Sequence, residues 1–140
     1  MPAIRETIFA AIDAAMKIDV AEYERMPSGD PAKFPARHVH DGGQAVIERE
    51  AQTSRYAMEI TIEGFVQGDG GAVTHAGINA LYADTVTRMM GLIGAVAGIE
   101  AIDEGDFRPG VAPLASRRSM SFAQDFTVTF ATRRGDPNTI

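Results

Sequence analysis

Residues 56–66 read Tyr-Ala-Met-Glu-Ile-Thr-Ile-Glu-Gly-Phe-Val, and their alternation decides the fold of this chain. The even positions carry mostly apolar side chains, whereas Glu59, Thr61 and Glu63 stand at odd positions. A period of two residues is typical of a strand with one buried and one wet face. The sequence therefore predicts a half-buried strand in the middle of the chain.

Helices are predicted on both sides of this strand. After it, a Gly-Asp-Gly-Gly turn at residues 68–71 leads into apolar residues spaced three and four apart: Ile78, Leu81, Tyr82, Val86, Met89 and Ile93. Before it, Ile4, Ile8 and Ile12 form one apolar stripe within residues 3–17. Both patterns have the period of an amphipathic helix.

The remaining strands have weaker patterns, except the last. Residues 119–130 alternate like residues 56–66 and predict a second long strand. Shorter strands are predicted at 22–26, 36–40, 45–49 and 99–103, with a hairpin turn at Asp41-Gly42-Gly43. Residues 27–35 and 104–118 are rich in Gly and Pro and are predicted as long loops, and residues 133–140 as a polar tail.

This order of elements predicts an α+β fold in residues 1–140. Two helices pack on one face of a largely antiparallel sheet, in the order helix, strands, helix, strands. At 140 residues the chain is long enough to form one domain with its own core. We expect no signal peptide and no membrane span, because the most apolar stretch, residues 89–102, is interrupted by glycines.

Composition argues against several function classes. The net charge is -6, which gives the chain no electrostatic attraction of its own for nucleic acid. There is no cysteine, so disulfides and thiolate metal sites are excluded. The glycines at 68–71 lack the Lys-Ser/Thr of a phosphate loop. We predict no cofactor and no metal; His38 and His40 share one side of a strand, but no third ligand stands at a recognisable spacing.

One stretch, residues 71–84, has catalytic character. It places His75 at the start of a helix and Asp84 further along the same helix. This run resembles the start of the central helix in hotdog-fold thioesterases, although Ala76 replaces the first glycine of their His-Gly-Gly motif. An acyl-CoA thioesterase that uses His75 and Asp84 is therefore the alternative function.

A second resemblance covers almost the whole chain. Four stretches carry it: residues 4–12 (IRETIFAAI), 56–64 (YAMEITIEG), 80–86 (ALYADTV) and 126–137 (FTVTFATRRGDP). In their order and spacing they resemble the tail terminator, or tail completion, proteins of long-tailed bacteriophages and gene transfer agents. No single motif is diagnostic, and the resemblance depends on the order and length of the elements.

The tail-terminator resemblance implies a structural protein of the virion tail without catalysis, assembled in the host cytoplasm. Such proteins form a hexameric ring on the head-proximal end of the tail tube, stop the addition of tube subunits and join the head connector. The implied partners are copies of the same chain, the tail tube protein and the head completion or connector protein, with DNA passing through the channel unbound.

Five residues are candidate contacts for such partners. Phe107, Arg108, Arg117 and Arg118 lie in or beside the predicted 104–118 loop, and arginines near an aromatic are typical interface anchors. Asp69 stands at the tip of the glycine loop. A third hypothesis is an adaptor domain that binds a partner by strand addition.

Overall fold

The computed structural model describes residues 2–112 and 119–140, apart from the side chains of Val111 and Ala112. The described elements follow the order α1 (Ile4–Met16), β1 (Glu22–Arg25), β2 (Ala36–Arg49), β3 (Thr53–Gln67), α2 (Gly71–Met90), β4 (Ile99–Ala112) and β5 (Ser119–Arg133). The strands form one sheet in the order β1-β2-β3-β5-β4. Only the β1–β2 pair among them is parallel. The predicted α+β class, with two helices and a largely antiparallel sheet, is confirmed.

The strand β3 lies at the centre of the sheet. Met58, Ile60 and Ile62 are at most 1% exposed, as the alternation predicts. They meet buried side chains of β5 and of both helices in one core. The odd-numbered side chains of β3 point to the opposite face, which we call the open face. An antiparallel sheet commonly has one packed and one solvated face in this way.

The two helices cover the packed face. The predicted apolar stripe of α1 is confirmed, since Ile4, Ile8 and Ile12 are buried, and Phe9 and Met16 join them. From α2 the buried apolar residues are Ile78, Leu81 and Met89. Neither described helix combines the length and the apolar composition that crossing a membrane requires.

The prediction of a loop at residues 104–118 is wrong for residues 104–112, which belong to a strand. The strand β4 continues to Ala112 and pairs with β5 along its length. Gly105, Pro109 and Gly110 are typical of loops, but β4 is the last strand of the sheet, where one edge needs no partner and proline is tolerated. The register of β4 with β5 shifts between Glu104 and Phe107, and this bulge accommodates the extra residues of β4. The rest of that loop, residues 113–118, lies outside the described residues.

The predicted hairpin turn at Asp41-Gly42-Gly43 is also wrong. These residues lie inside β2, at a bulge where the register with β3 shifts between Asp41 and Gln44. Gly43 has φ +89°, a conformation that favours glycine. The real turn follows Arg49, so that β2 and β3 form one long hairpin.

The predicted loop at residues 27–35 carries no helix or strand, and it is anchored to the sheet. Glu22 accepts a hydrogen bond from the backbone N–H of Ala32 at 3.1 Å, and Ala21 N–H donates to Pro35 at 2.8 Å. Pro31 is buried. The loop therefore packs against the start of β1 and β2.

The contact between β3 and α2 makes a first prediction possible. A Cβ added at Gly64 would lie 2.2 Å from Phe122 Cε1 and 2.9 Å from Leu81 Cδ2. Because overpacking a core costs about 1 to 3 kcal/mol, we expect Gly64→Ala to lower the free energy of unfolding by that amount. Urea unfolding followed by circular dichroism measures it.

Gly29→Ala is the matched control for Gly64→Ala. A Cβ at Gly29 would meet nothing within 4 Å, and its φ is not positive. We expect its unfolding free energy to stay within about 0.5 kcal/mol of the wild type. Equal losses in the two variants would show that β3 and α2 do not approach as described.

Candidate functional site

A buried arginine holds the two helices to the sheet. Arg37 on β2 is fully buried. Its Nη1 donates to the backbone oxygens of Met16, the last residue of α1, and of Ile18 at 2.9 and 3.0 Å. Its Nε donates to Thr85 Oγ1 at 2.9 Å, and its Nη2 pairs with Asp84 Oδ2 at 2.6 Å on α2. One side chain thus connects α1, β2 and α2.

Asp84 extends this connection to the surface. Its carboxylate also accepts a hydrogen bond from Arg88 Nε at 2.7 Å, and Arg88 pairs with Asp19 at 2.8 Å. Burial raises the pKa of Asp84, but the hydrogen bonds from Arg88 and Arg37 outweigh it and the net shift is downward. Burial lowers the pKa of Arg37 against the opposing effect of Asp84. Asp19 and Asp84 therefore already have cationic partners within the chain.

A cleft of about 1080 Å³ lies beside this network, between α2, the end of β3 and the loop before β2. Phe34, Val66 and Leu81 contribute apolar surface to it. The carboxylates that line it are Asp19, Asp69 and Asp84. Asp69 is exposed and forms no ion pair with a described residue. The cleft therefore combines apolar walls with one carboxylate that has no ion-pair partner in the described part of the chain.

The open face of the sheet is acidic. The register of the strands places these carboxylates on the open face: Glu22, Glu24, Glu48, Glu59, Glu63, Asp103 and Asp125. The guanidiniums of described residues that the same register assigns to this face are Arg55, Arg108 and Arg133. Arg108 pairs with Asp125 at 2.5 Å, and Arg55 pairs with Glu48 and Glu100. Carboxylates remain in excess after these pairs form, so the negative charge of the chain is concentrated here.

The far end of the β2–β3 hairpin is exposed along its β2 strand. We call residues 44–54 the arm. Every residue of β2 from Gln44 onward is exposed, including Val46 at 41% and Ile47 at 53%. The outer edge of β2 is covered by β1 only as far as Val39. Sequence reasoning missed the arm, although two adjacent apolar residues in a polar segment are its signal.

The structure separates the predicted interface residues. Phe107 packs with its ring centroid 4.5 Å from that of Tyr82 and 5.6 Å from that of Phe122, on the packed face. Arg108, its neighbour, lies on the open face with Asp125. Because adjacent residues of a strand point to opposite faces, Phe107 and Arg108 do not share one surface, and their role as partner contacts stays a prediction. Arg117 and Arg118 lie outside the described residues.

The thioesterase residues do not form a site. His75 and Asp84 are about two and a half turns apart on α2 at 3.6 residues per turn, which places them on opposite sides of the helix. His75 is exposed, and Asp84 is held by Arg37 and Arg88. An acid–base pair must lie within hydrogen-bond reach of the same substrate, so this arrangement disfavours the thioesterase alternative.

His38 and His40 have separate neighbours. His38 is 2% exposed, with its ring against Phe65 and its Nε2 3.7 Å from Glu22. His40 contacts Glu63 instead. Within residues 2–112 and 119–140, no three His, Asp or Glu side chains come together in a way that could hold a metal ion.

Comparison with family models and with curated proteins finds no match for this chain. One chain of a solved structure, titled "Virion of native gene transfer agent (GTA) particle", is similar with a TM-score of 0.42 and 16% identity, over 91% of this chain and 92% of that one. A TM-score at this level does not establish a shared fold.

Proposed function

We propose that this chain is a structural virion protein that forms a hexameric ring on the head-proximal end of a tail tube. The ring stops tube polymerisation and provides the surface that joins tail to head. Its partners are copies of itself, the tail tube protein and the head completion or connector protein. It assembles in the host cytoplasm, catalyses no reaction and lets DNA pass through its channel without specific binding.

The observation that carries this proposal is the division of the molecule into two unlike faces. Helices cover one face of the sheet. The other face has excess carboxylates and is open except near Phe65 and His38, which are buried. A wall with that charge repels DNA phosphates, so a ring with its open faces inward leaves the genome free to slide. The order of elements, which the sequence resemblance depends on, is also the order in the structure.

Native mass spectrometry over a concentration series, with negative-stain images of the same samples, tests the ring. We expect six-fold particles with a central hole, formed by the chain alone or after addition of tail tube subunits. Tube length in a polymerisation assay should then fall as the protein is added. Dimers or tetramers without a hole, together with unchanged tube length, would contradict the proposal.

A charge reversal on the open face tests the channel. Glu59 is exposed on this face, and the ring repeats it in every subunit. We expect Glu59→Lys rings to bind duplex DNA at least about tenfold more tightly than wild-type rings at low salt, with the gain lost as salt rises. Fluorescence anisotropy with labelled duplex DNA measures this.

Glu6→Lys is the control for Glu59→Lys. It makes the same change in net charge, but Glu6 is an exposed residue of α1, on the side of the sheet that the helices cover. We expect little gain in DNA binding from it. Equal gains in both variants would show that net charge alone acts, and that the open face does not line the channel.

A further inference from the structure

We propose that, in the ring of the proposed function, the arm of each subunit docks into the cleft of the next subunit. The contact joins Arg49 on the arm to Asp69 at the cleft, and it places Val46 and Ile47 against the apolar walls. The inference depends on the ring, but it goes further, because it names both surfaces of the subunit contact.

The arm has the properties of a surface that binds a partner. Val46 and Ile47 are apolar side chains exposed on β2. Arg49 forms no ion pair with any described residue, unlike Arg55 of the same hairpin. An apolar pair beside an arginine that has no ion-pair partner among the described residues is a suitable anchor for a pocket that has apolar walls and a carboxylate.

The cleft offers apolar walls and a negative charge to the apolar pair and the arginine of the arm. Its apolar walls are formed by Phe34, Val66 and Leu81, and Ala80 lines it as an exposed residue of α2. Asp84 and Asp19 are neutralised by Arg37 and Arg88, which leaves Asp69 as the carboxylate available to an incoming cation. Opposite charges across a contact give specificity for one partner and one orientation.

The two surfaces lie at opposite ends of the same sheet. The pair Thr53–Arg133 marks the arm end, and the pair Gln67–Ser119 marks the cleft end. The strand β3 has 15 residues between them, or about 50 Å at roughly 3.3 Å per residue. An arm therefore cannot fill the cleft of its own chain. Docking must occur between copies, head to tail, and a head-to-tail contact that closes makes a ring.

Complementary charge variants test the contact. We expect Arg49→Glu alone and Asp69→Lys alone each to raise the concentration for half-assembly about tenfold or more, because each places like charges together. The double variant should return to within about threefold of the wild type. An equal mixture of the two single variants should also assemble, since alternating subunits restore an opposite pair at every contact.

A second pair of variants tests the cleft without changing charge. Ala80→Trp fills the cleft from an exposed helix position, and we expect it to block assembly while the monomer stays folded by circular dichroism. Ala83→Trp is the control, because Ala83 is an exposed residue of α2 that does not line the cleft.

The outcomes separate this contact from the proposed function. Rings that form equally well from all the variants overturn the arm–cleft contact and leave the ring in place. Failure of the mixture to assemble, when each single variant is defective, also overturns it. A wild-type chain that stays monomeric at every concentration and with tube subunits present overturns the proposed function and the contact together.

Discussion

Arg37→Ala is expected to remove about 3 to 5 kcal/mol from the free energy of unfolding, because it truncates a fully buried side chain and leaves hydrogen-bond acceptors without a donor. The substitution deletes the donors that satisfy the backbone oxygens of Met16 and Ile18, and it leaves a cavity between β2 and the helices. Small domains are stable by only about 5 to 15 kcal/mol, so the variant should be close to unfolding at 25 °C. Urea unfolding with an unchanged slope measures the loss.

Asp84→Asn separates the charge of this network from its packing. The asparagine amide oxygen can still accept a hydrogen bond from Arg37 Nη2, and the other hydrogen bonds of Arg37 remain. We therefore expect a smaller loss than in Arg37→Ala. Folding lowers the pKa of Asp84, so its contribution to the free energy of unfolding depends on pH. That contribution is present above the ordinary carboxyl pKa and is lost as the pH falls through the lowered value. Arg37→Ala with wild-type stability would show that the network does not form in solution.

The long elements could be predicted because their patterns are local. In β3 and β5 every second residue enters the core, and in α1 the stripe from Ile4 to Met16 has the helical period. Such patterns require no knowledge of distant residues. The strand β4 has no such pattern because its outer edge has no partner within the described chain, so Asp103, Glu104 and Asp106 resemble a loop.

The candidate site could not be predicted in the same way, since its contacts are distant in sequence. Arg37 meets Asp84 across 47 positions, and only the packing of α2 on the sheet brings them together. Phe107 and Arg108 show the converse: they are adjacent in sequence, which suggested a shared surface, but the strand places them on different faces. Assigning residues 104–112 to a strand would have placed the two side chains on different faces from the start.

Phe122→Ala is expected to cost about 3 to 5 kcal/mol of unfolding free energy. Phe122 is 1% exposed and forms a buried cluster with Ile78 and Leu81, with the rings of Tyr82 and Phe107 beside it. Truncation removes the ring that joins α2 to β5 and leaves a void on the packed face. The same urea titration measures the loss, and Thr127→Ala on the open face should cost far less, since Thr127 contacts only Glu59 by hydrogen bond from its side chain.

Combining Phe122→Ala with Gly64→Ala is the sharper test of this packing. In the wild type a methyl group at position 64 collides with Phe122, but in the truncated variant it enters the void that the ring has left. The cost of Gly64→Ala should therefore fall from about 1 to 3 kcal/mol to near zero in the Phe122→Ala background. Simple additivity of the two losses would mean that Gly64 and Phe122 do not touch. The register of β3 with β5, on which both the open face and the position of the cleft depend, would then have to be revised.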